Sequence, residues 1–238
     1  MNLTDKVAVV TGASKGIGRA IALTLADEGA HVAIAARSEN LLEELAEEIR
    51  AKGRKVYAFV GDMSDEDEIR TFVGETAEKL GGIDVLVNNA GLGHFQKVAE
   101  LSTREWDEMF NLNVRGLFIA TRESLPYLRD AGKPAVVNVV SLAGKNAFVG
   151  GGGYAATKHA VLGFSRCLML EERQNGVRVL AICPGSVATE FSQGRHAKDA
   201  ERAKRIIQSQ DVADSILHML RLPQNALVSE IDIRPTNP

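Results

Sequence analysis

Short runs that are apolar on both of their alternating faces are separated by longer stretches of helical period along the whole chain. This rhythm constrains the fold more than any other feature. The runs are Val7–Val10, His31–Ala36, Val56–Val60, Ile83–Val87, Ala135–Val140, Val177–Cys183 and Ile231–Ile233. Helical stretches lie between them. One leads to Glu28 and is closed by Gly29; the next carries Leu41, Leu42, Leu45 and Ile49 between Ser38 and Gly53. Further helices are expected over Asp65–Leu80, from a Ser102/Glu105 capping box toward Leu128, from about Gly153 to Gln174, and over Asp211–Leu220. A strand that is apolar on both faces must be covered on both, which calls for helices above and below a parallel sheet. The expected fold class is α/β: a single-domain, doubly wound parallel sheet of about seven strands.

Composition narrows the function. A formal net charge of −3 offers no basic field for nucleic acid or an anionic membrane. No run approaches the length of a membrane span, and the N-terminus enters a strand at once rather than a secretory signal. Cys167 and Cys183 are too few for a disulfide framework and have no metal-ligand neighbours, so no metal is expected. The expectation is a soluble, cytoplasmic protein acting on a small molecule.

The glycines then locate the chemistry. Val7–Val10 leads into Thr11-Gly12-Ala13-Ser14-Lys15-Gly16-Ile17-Gly18. Glycines let the backbone approach a ligand and take positive φ, and the helix that starts there presents free N–H groups to a phosphate. The spacing differs from the commoner Gly-x-Gly-x-x-Gly fingerprint, and an ordinary strand–helix turn is the alternative. Its place after the first strand of a parallel α/β chain favours a dinucleotide site of Rossmann type. The second strand ends Ala35-Ala36-Arg37, without the acid that would hold a ribose 2′-hydroxyl. Arg37, with Lys15 in the turn, suits a 2′-phosphate instead. The expected cofactor is NADP(H), with two idle basic residues as the alternative.

Tyr154 and Lys158 stand one helical turn apart, about 6 Å along the axis, among small and apolar neighbours. A lysine there is expected to be buried, and an ammonium beside a phenol favours its ionised form. Ser141 follows the Ala135–Val140 run at the carboxyl edge of the sheet. Asn113 lies on the apolar stripe Trp106, Phe110, Leu117, where a buried amide needs its hydrogen bonds made.

These motifs together resemble the short-chain dehydrogenase/reductase family over essentially the whole chain. The resemblance rests on the glycine turn, Asp62 after the third strand, Asn88-Asn89-Ala90-Gly91 after the fourth, and Pro184-Gly185 followed by Val187 and Thr189. The family's Asn-Ser-Tyr-Lys tetrad falls on Asn113, Ser141, Tyr154 and Lys158. The resemblance implies hydride transfer between a nicotinamide and a carbonyl or secondary alcohol. Ser141 would bind the substrate oxygen and Tyr154 exchange its proton. Lys158 would hold the nicotinamide ribose and lower the Tyr154 pKa, and Asn113 would hold a water. Cofactor contacts are implied for Gly12, Ser14, Lys15, Gly16, Ile17, Gly18, Arg37, Asp62, Met63, Asn89, Ala90, Gly91, Tyr154, Lys158, Pro184, Gly185, Val187 and Thr189. Residues 1–238 would form one dinucleotide-binding and catalytic domain, with segment 186–210 as a substrate lid. Within that segment Phe191, His196 and several basic residues form either a receiving rim or a solvated helix face. The run Gly150–Gly153 departs from the pattern and is expected to loosen the loop before Tyr154. His94 and Phe95 are further candidates for the pocket.

The substrate class most frequent among similar sequences is the 3-oxoacyl thioester, as in 3-oxoacyl-[acyl-carrier-protein] reductases. The alternatives are an alcohol, sugar or steroid dehydrogenase, or a non-catalytic NADP(H)-binding regulator. Apolar and small residues on more than one face of the helices at 103–128 and 153–174 imply a homo-oligomer, a dimer or tetramer.

Overall fold

The structure, a computed structural model, describes residues 1–192 and 205–236. Seven strands are parallel in the order β3-β2-β1-β4-β5-β6-β7. They are β1 (Val7–Thr11), β2 (His31–Ala36), β3 (Val56–Val60), β4 (Val85–Asn88), β5 (Ala135–Val139), β6 (Arg178–Pro184) and β7 (Glu230–Ile233). The helices are α1 (Gly16–Asp27), α2 (Glu39–Ala51), α3 (Glu66–Leu80), α4 (Thr103–Phe110), α5 (Leu117–Asp130), α6 (Gly152–Glu172) and α7 (Ser209–Arg221). No described helix is long and apolar enough to cross a membrane.

The alternation of side chains along each strand divides the core in two. Ala8, Val10, Val32, Ile34 and Val137 face one layer, packed against α1, α2 and α7 through Ile21, Leu45 and Ile216. Val9, Ala33, Leu86, Val136 and Val179 face the other, packed against α3 and α5 through Phe72 and Ile119. Both sets are apolar because both faces are covered, the condition read from the uninterrupted runs. The two edge strands, β3 and β7, are the exceptions and are only partly buried.

Three local features differ from expectation. The helix expected to run from Ser102 toward Leu128 is broken by a π turn at Asn111–Gly116, although its Ser102/Glu105 capping box is present. Gly116 closes that turn against the Met63 carbonyl, leaving no room for a Cβ. Trp106, placed on the same stripe as Asn113, is 40% exposed and stacks on Phe110 at 4.7 Å. The Ala135–Val140 run, read as apolar, contains Asn138, fully buried at the centre of a polar chain. Asn88 Nδ2 donates to Asn138 Oδ1 at 2.9 Å and to Thr121 Oγ1 at 3.0 Å, and Asn138 Nδ2 donates to Ser165 Oγ at 2.8 Å. Two strands and the helices α5 and α6 are thereby tied together beneath the crevice. The expected lid falls partly on residues 193–204, His196 among them, which lie outside the described residues.

Replacing Asn138 by leucine removes two buried hydrogen bonds and strands two partners. Asn138→Leu is expected to cost about 2–4 kcal/mol. Urea unfolding checks this as a lower midpoint with an unchanged slope.

Candidate active site

The strand order reverses between β1 and β4, and a crevice opens there beyond the carboxyl ends of the strands, as expected for a doubly wound sheet. Its volume is about 990 Å³. The crevice is held by a joint between the first and fourth βα loops. Thr11 Oγ1 accepts from the N–H groups of Asn89 (3.1 Å) and Ala90 (3.0 Å). Asn89 Nδ2 in return donates to the carbonyls of Thr11 and Gly12, both at 3.0 Å. The Asn89 amide therefore braces the turn.

Each glycine of the turn has its own cause. Gly12 has φ +65°, and a Cβ on it would come within 2.8 Å of the Ala90 Cα. Gly16 has φ +57° and lies under Thr189. Gly18 packs against the Gly12 carbonyl and the Asn89 side chain, with Ala13 Cα 3.0 Å from where a Cβ would stand. No side chain caps the N-terminus of α1, so its first N–H groups are available to an anion.

Of the residues expected to hold the cofactor, all but Gly18 line the crevice. Gly18 acts one step back, by letting the turn close. Arg37 stands exposed at the end of β2. Asp62 Oδ1 accepts from the Ser64 N–H and hydroxyl, at 2.9 and 2.8 Å. Lys15 pairs with Glu190 at 3.0 Å, joining the glycine turn to the segment after β6. That segment is anchored by Gly185 N–H to the Ile233 carbonyl (2.8 Å) and by a bridge between Val187 and Ile207.

Ser141, Tyr154 and Lys158 meet in the crevice. Ser141 is hydrogen-bonded to Tyr154, which draws the phenol pKa down, but burial dominates and raises it to about 12. The Lys158 Nζ donates to the Val139 carbonyl at 3.0 Å and lies 5.7 Å from the centroid of the Tyr154 ring. Burial lowers its pKa to about 8. The expected lowering by Lys158 is not seen: burial sets the direction of the Tyr154 pKa, and the downward pull on it comes from the Ser141 hydrogen bond.

Asn113 does not line the crevice. Its Oδ1 accepts from Leu92 N–H at 2.8 Å; its Nδ2 donates to the Leu92 carbonyl at 2.8 Å and to Thr157 Oγ1 at 3.0 Å. Both amide protons are committed, and through them Asn113 pins the loop after β4 to α6. The π turn supplies the rotation that aims it there.

The run Gly150–Gly153 does not loosen its loop. Gly150 takes φ +77°, Gly151 lies against the Phe148 ring, Gly152 against Val98, and Gly153 against Met109. These are seats for large side chains. Phe95 lines the crevice as expected, whereas His94 turns to Glu108 at 3.0 Å. Asn146, Phe148, Arg234 and Pro235 also line it without being expected from the sequence, and Ser186 does so at the start of the expected lid segment. No local sequence signal marks them, because the chain returns to the crevice there only through tertiary folding.

Comparison with known proteins agrees with this geometry. The family model described as short chain dehydrogenase matches residues 6–200. A glycine betaine reductase of Emericella nidulans is 39% identical over 241 residues, covering 98% of this chain but 19% of that longer protein. An uncharacterized oxidoreductase of Staphylococcus aureus is 33% identical over 233 residues, covering 98% of each. Among solved structures, the alcohol dehydrogenase of the archaeon Thermococcus sibiricus, complexed with 5-hydroxy-NADP, superposes with a TM-score of 0.90 at 33% identity, over 97% of each chain. With a matching family model, the shared fold and a serine, tyrosine and lysine gathered at the switch point, this chain belongs to the short-chain dehydrogenase/reductase family of oxidoreductases.

Proposed function

We propose that the chain is an NADP(H)-dependent carbonyl reductase, a single catalytic unit whose segment around 186–210 covers the substrate. The observation that carries this is the convergence of Ser141, Tyr154 and Lys158 on one crevice with the glycine turn. A non-catalytic nucleotide sensor needs the turn but not the buried tyrosine and lysine.

The residues fit the cofactor. A Cβ at Gly12 would fill the cradle between the two loops, the uncapped start of α1 suits a pyrophosphate, and Arg37 and Lys15 suit a 2′-phosphate. The Thermococcus sibiricus relative, complexed with 5-hydroxy-NADP, supports the same choice. Asp62 and Met63 would adjoin the adenine and Ala90 and Gly91 its ribose. Lys158 would hold the nicotinamide ribose, and Pro184, Gly185, Val187 and Thr189 the nicotinamide end. When bound, NADPH supplies the hydride that reduces the carbonyl carbon. Ser141 donates a hydrogen bond to the carbonyl oxygen, and Tyr154 gives that oxygen its proton as the alcohol forms. Asn113 acts as a positioning residue that fixes the loop against α6.

Tyr154 carries the proton that reduction would take from it. With a pKa near 12 the phenol holds its proton at neutral pH and is ready to donate it. The Lys158 ammonium and the Ser141 hydroxyl then face the phenolate that remains. The substrates to assay first are 3-oxoacyl thioesters, the class implied by the sequence resemblance. Betaine aldehyde joins the panel because one relative is named a glycine betaine reductase. Trp106 on α4, Phe118 and Tyr127 on α5 and Leu170 on α6, each at least 37% exposed, support a homo-oligomer. Two cysteines without a disulfide are consistent with a cytoplasmic enzyme.

Loss of NADPH absorbance across a carbonyl panel tests the activity. Tyr154→Phe is expected to lower turnover about 10²–10⁴-fold; near-native turnover in that variant would remove the phenol from the reaction. Arg37→Ala should raise the KM for NADPH about tenfold and narrow the preference for NADPH over NADH, as parallel assays with the two nucleotides will read. A third outcome concerns Lys158. Its folded pKa of about 8 lies below the ordinary 10.5, so between those values the unfolded chain binds more protons and stability rises with pH. Below that window the penalty of the buried charge is complete, up to about 3 kcal/mol at 1.36 kcal/mol per unit. Lys158→Met should therefore be inactive, more stable than the native chain at pH 7, and without the native gain in stability on raising the pH through the window. Urea unfolding on either side of that window measures this.

A further inference from the structure

We propose that Phe95, Phe148 and Phe191 set the substrate class. They form an aromatic wall beside Tyr154 that receives the flat apolar arm, aryl or alicyclic, of a neutral carbonyl compound. This rests on the carbonyl reductase reading above and narrows it.

The three rings come from three separate segments: the loops after β4 and β5, and the short 3₁₀ turn Glu190–Ser192 after β6. Phe95 meets the Tyr154 ring edge-on at 5.3 Å and 63°, and Phe191 lies 5.7 Å from it. Phe95 also contacts Phe191 at 6.0 Å and 84° and Phe148 at 6.2 Å. The result is a continuous aromatic surface starting at the proton donor. Its outer rings are not core: Phe148 is 37% and Phe191 46% exposed, and both line the crevice. Partly exposed apolar rings lining a functional crevice present a surface that a ligand can cover.

The surrounding backbone is built to seat these rings. A Cβ on Gly93 would stand 2.8 Å from Phe95 Cζ and 3.0 Å from Phe191 Cζ. One on Gly151 would overlap the Phe148 ring, with Cε2 at 2.6 Å and Cε1 at 2.7 Å. Two glycines from different loops thus leave the space these rings occupy, and a side chain at either would displace them.

Charge decides between a neutral and a cationic arm, since aromatic rings also attract quaternary ammonium groups. Among the described residues the carboxylates lining the crevice are Asp62, which accepts from Ser64, and Glu190, which is held by Lys15. The cations lining it include Lys158 and Arg234. Among the described residues both crevice carboxylates are already engaged, so a cationic arm would find no dedicated counter-ion there, whereas the three rings offer a neutral arm an apolar wall.

The experiment compares kcat/KM for acetophenone and cyclohexanone with that for butanone, and includes betaine aldehyde and a short 3-oxoacyl thioester. The native enzyme is expected to prefer the two ring ketones. Phe148→Ala should lower the acetophenone-to-butanone ratio about tenfold, mainly through KM. Phe148→Leu should restore part of it, and Gly151→Ala, which must displace the ring, should also shift it. Thermal melting of each variant confirms that it folds. A ratio unmoved in folded variants of an active enzyme would overturn the wall alone, as would a native preference for betaine aldehyde or the thioester. A native enzyme that reduces nothing on the panel would overturn the reductase reading and this inference with it.

Discussion

The joint between Thr11 and Asn89 is the constraint on which the site depends. At a reversal of strand order two neighbouring loops turn to opposite faces of the sheet, and nothing in the strand ladder itself holds them apart. Here one hydroxyl accepts two backbone N–H groups from the second loop, and one amide answers by donating to two carbonyls of the first. The two loops are thereby tied to each other in a fixed register that does not require a ligand. The glycines at 12 and 18 belong to the same device, since a side chain at either would push the two loops apart.

A second polar assembly continues this one downward. Asn88 is the residue before Asn89, and its amide reaches Asn138 and Thr121, with Ser165 at the far end. The strands that end at the catalytic serine and at the cofactor loop are therefore cross-linked to the helix that carries Tyr154 and Lys158. Buried polar chains of this kind are costly where a group is left over, as Asn88 Oδ1 is here, and they fix register where apolar packing alone would tolerate sliding. Placing reactive groups within hydrogen-bond reach demands that kind of precision.

The architecture and most of the site were legible in the residues because they depend on patterns that local chemistry writes down. Uninterrupted apolar runs announce a sheet covered on both faces, and glycines after the first strand announce a close approach. The exceptions have physical reasons. Asn113 was correctly read as buried and bonded, but its partners, Leu92 and Thr157, come from segments far along the chain. The helix that carries it was read as continuous because a π turn leaves no compositional mark. Gly150–Gly153 was read as slack, since sequence alone does not reveal that Phe148, Val98 and Met109 occupy the missing volume. The ionisation of Tyr154 was misjudged because spacing gives proximity to an ammonium but not the depth of burial that sets the direction of its pKa. Arg234 and Phe148 reach the crevice only through the tertiary fold.

The π turn at Asn111–Gly116 has a consequence for how this chain tolerates change. Such a turn holds one residue more than the α-helix would, so it advances everything beyond it by about 100° around the axis relative to an unbroken helix. The orientation of Asn113 and the face that α5 turns to the sheet are thus set by a count of residues as much as by their identity. Within that short segment, losing or gaining a single position would rotate a whole helix out of phase with its partners, even if every side chain kept its chemical character.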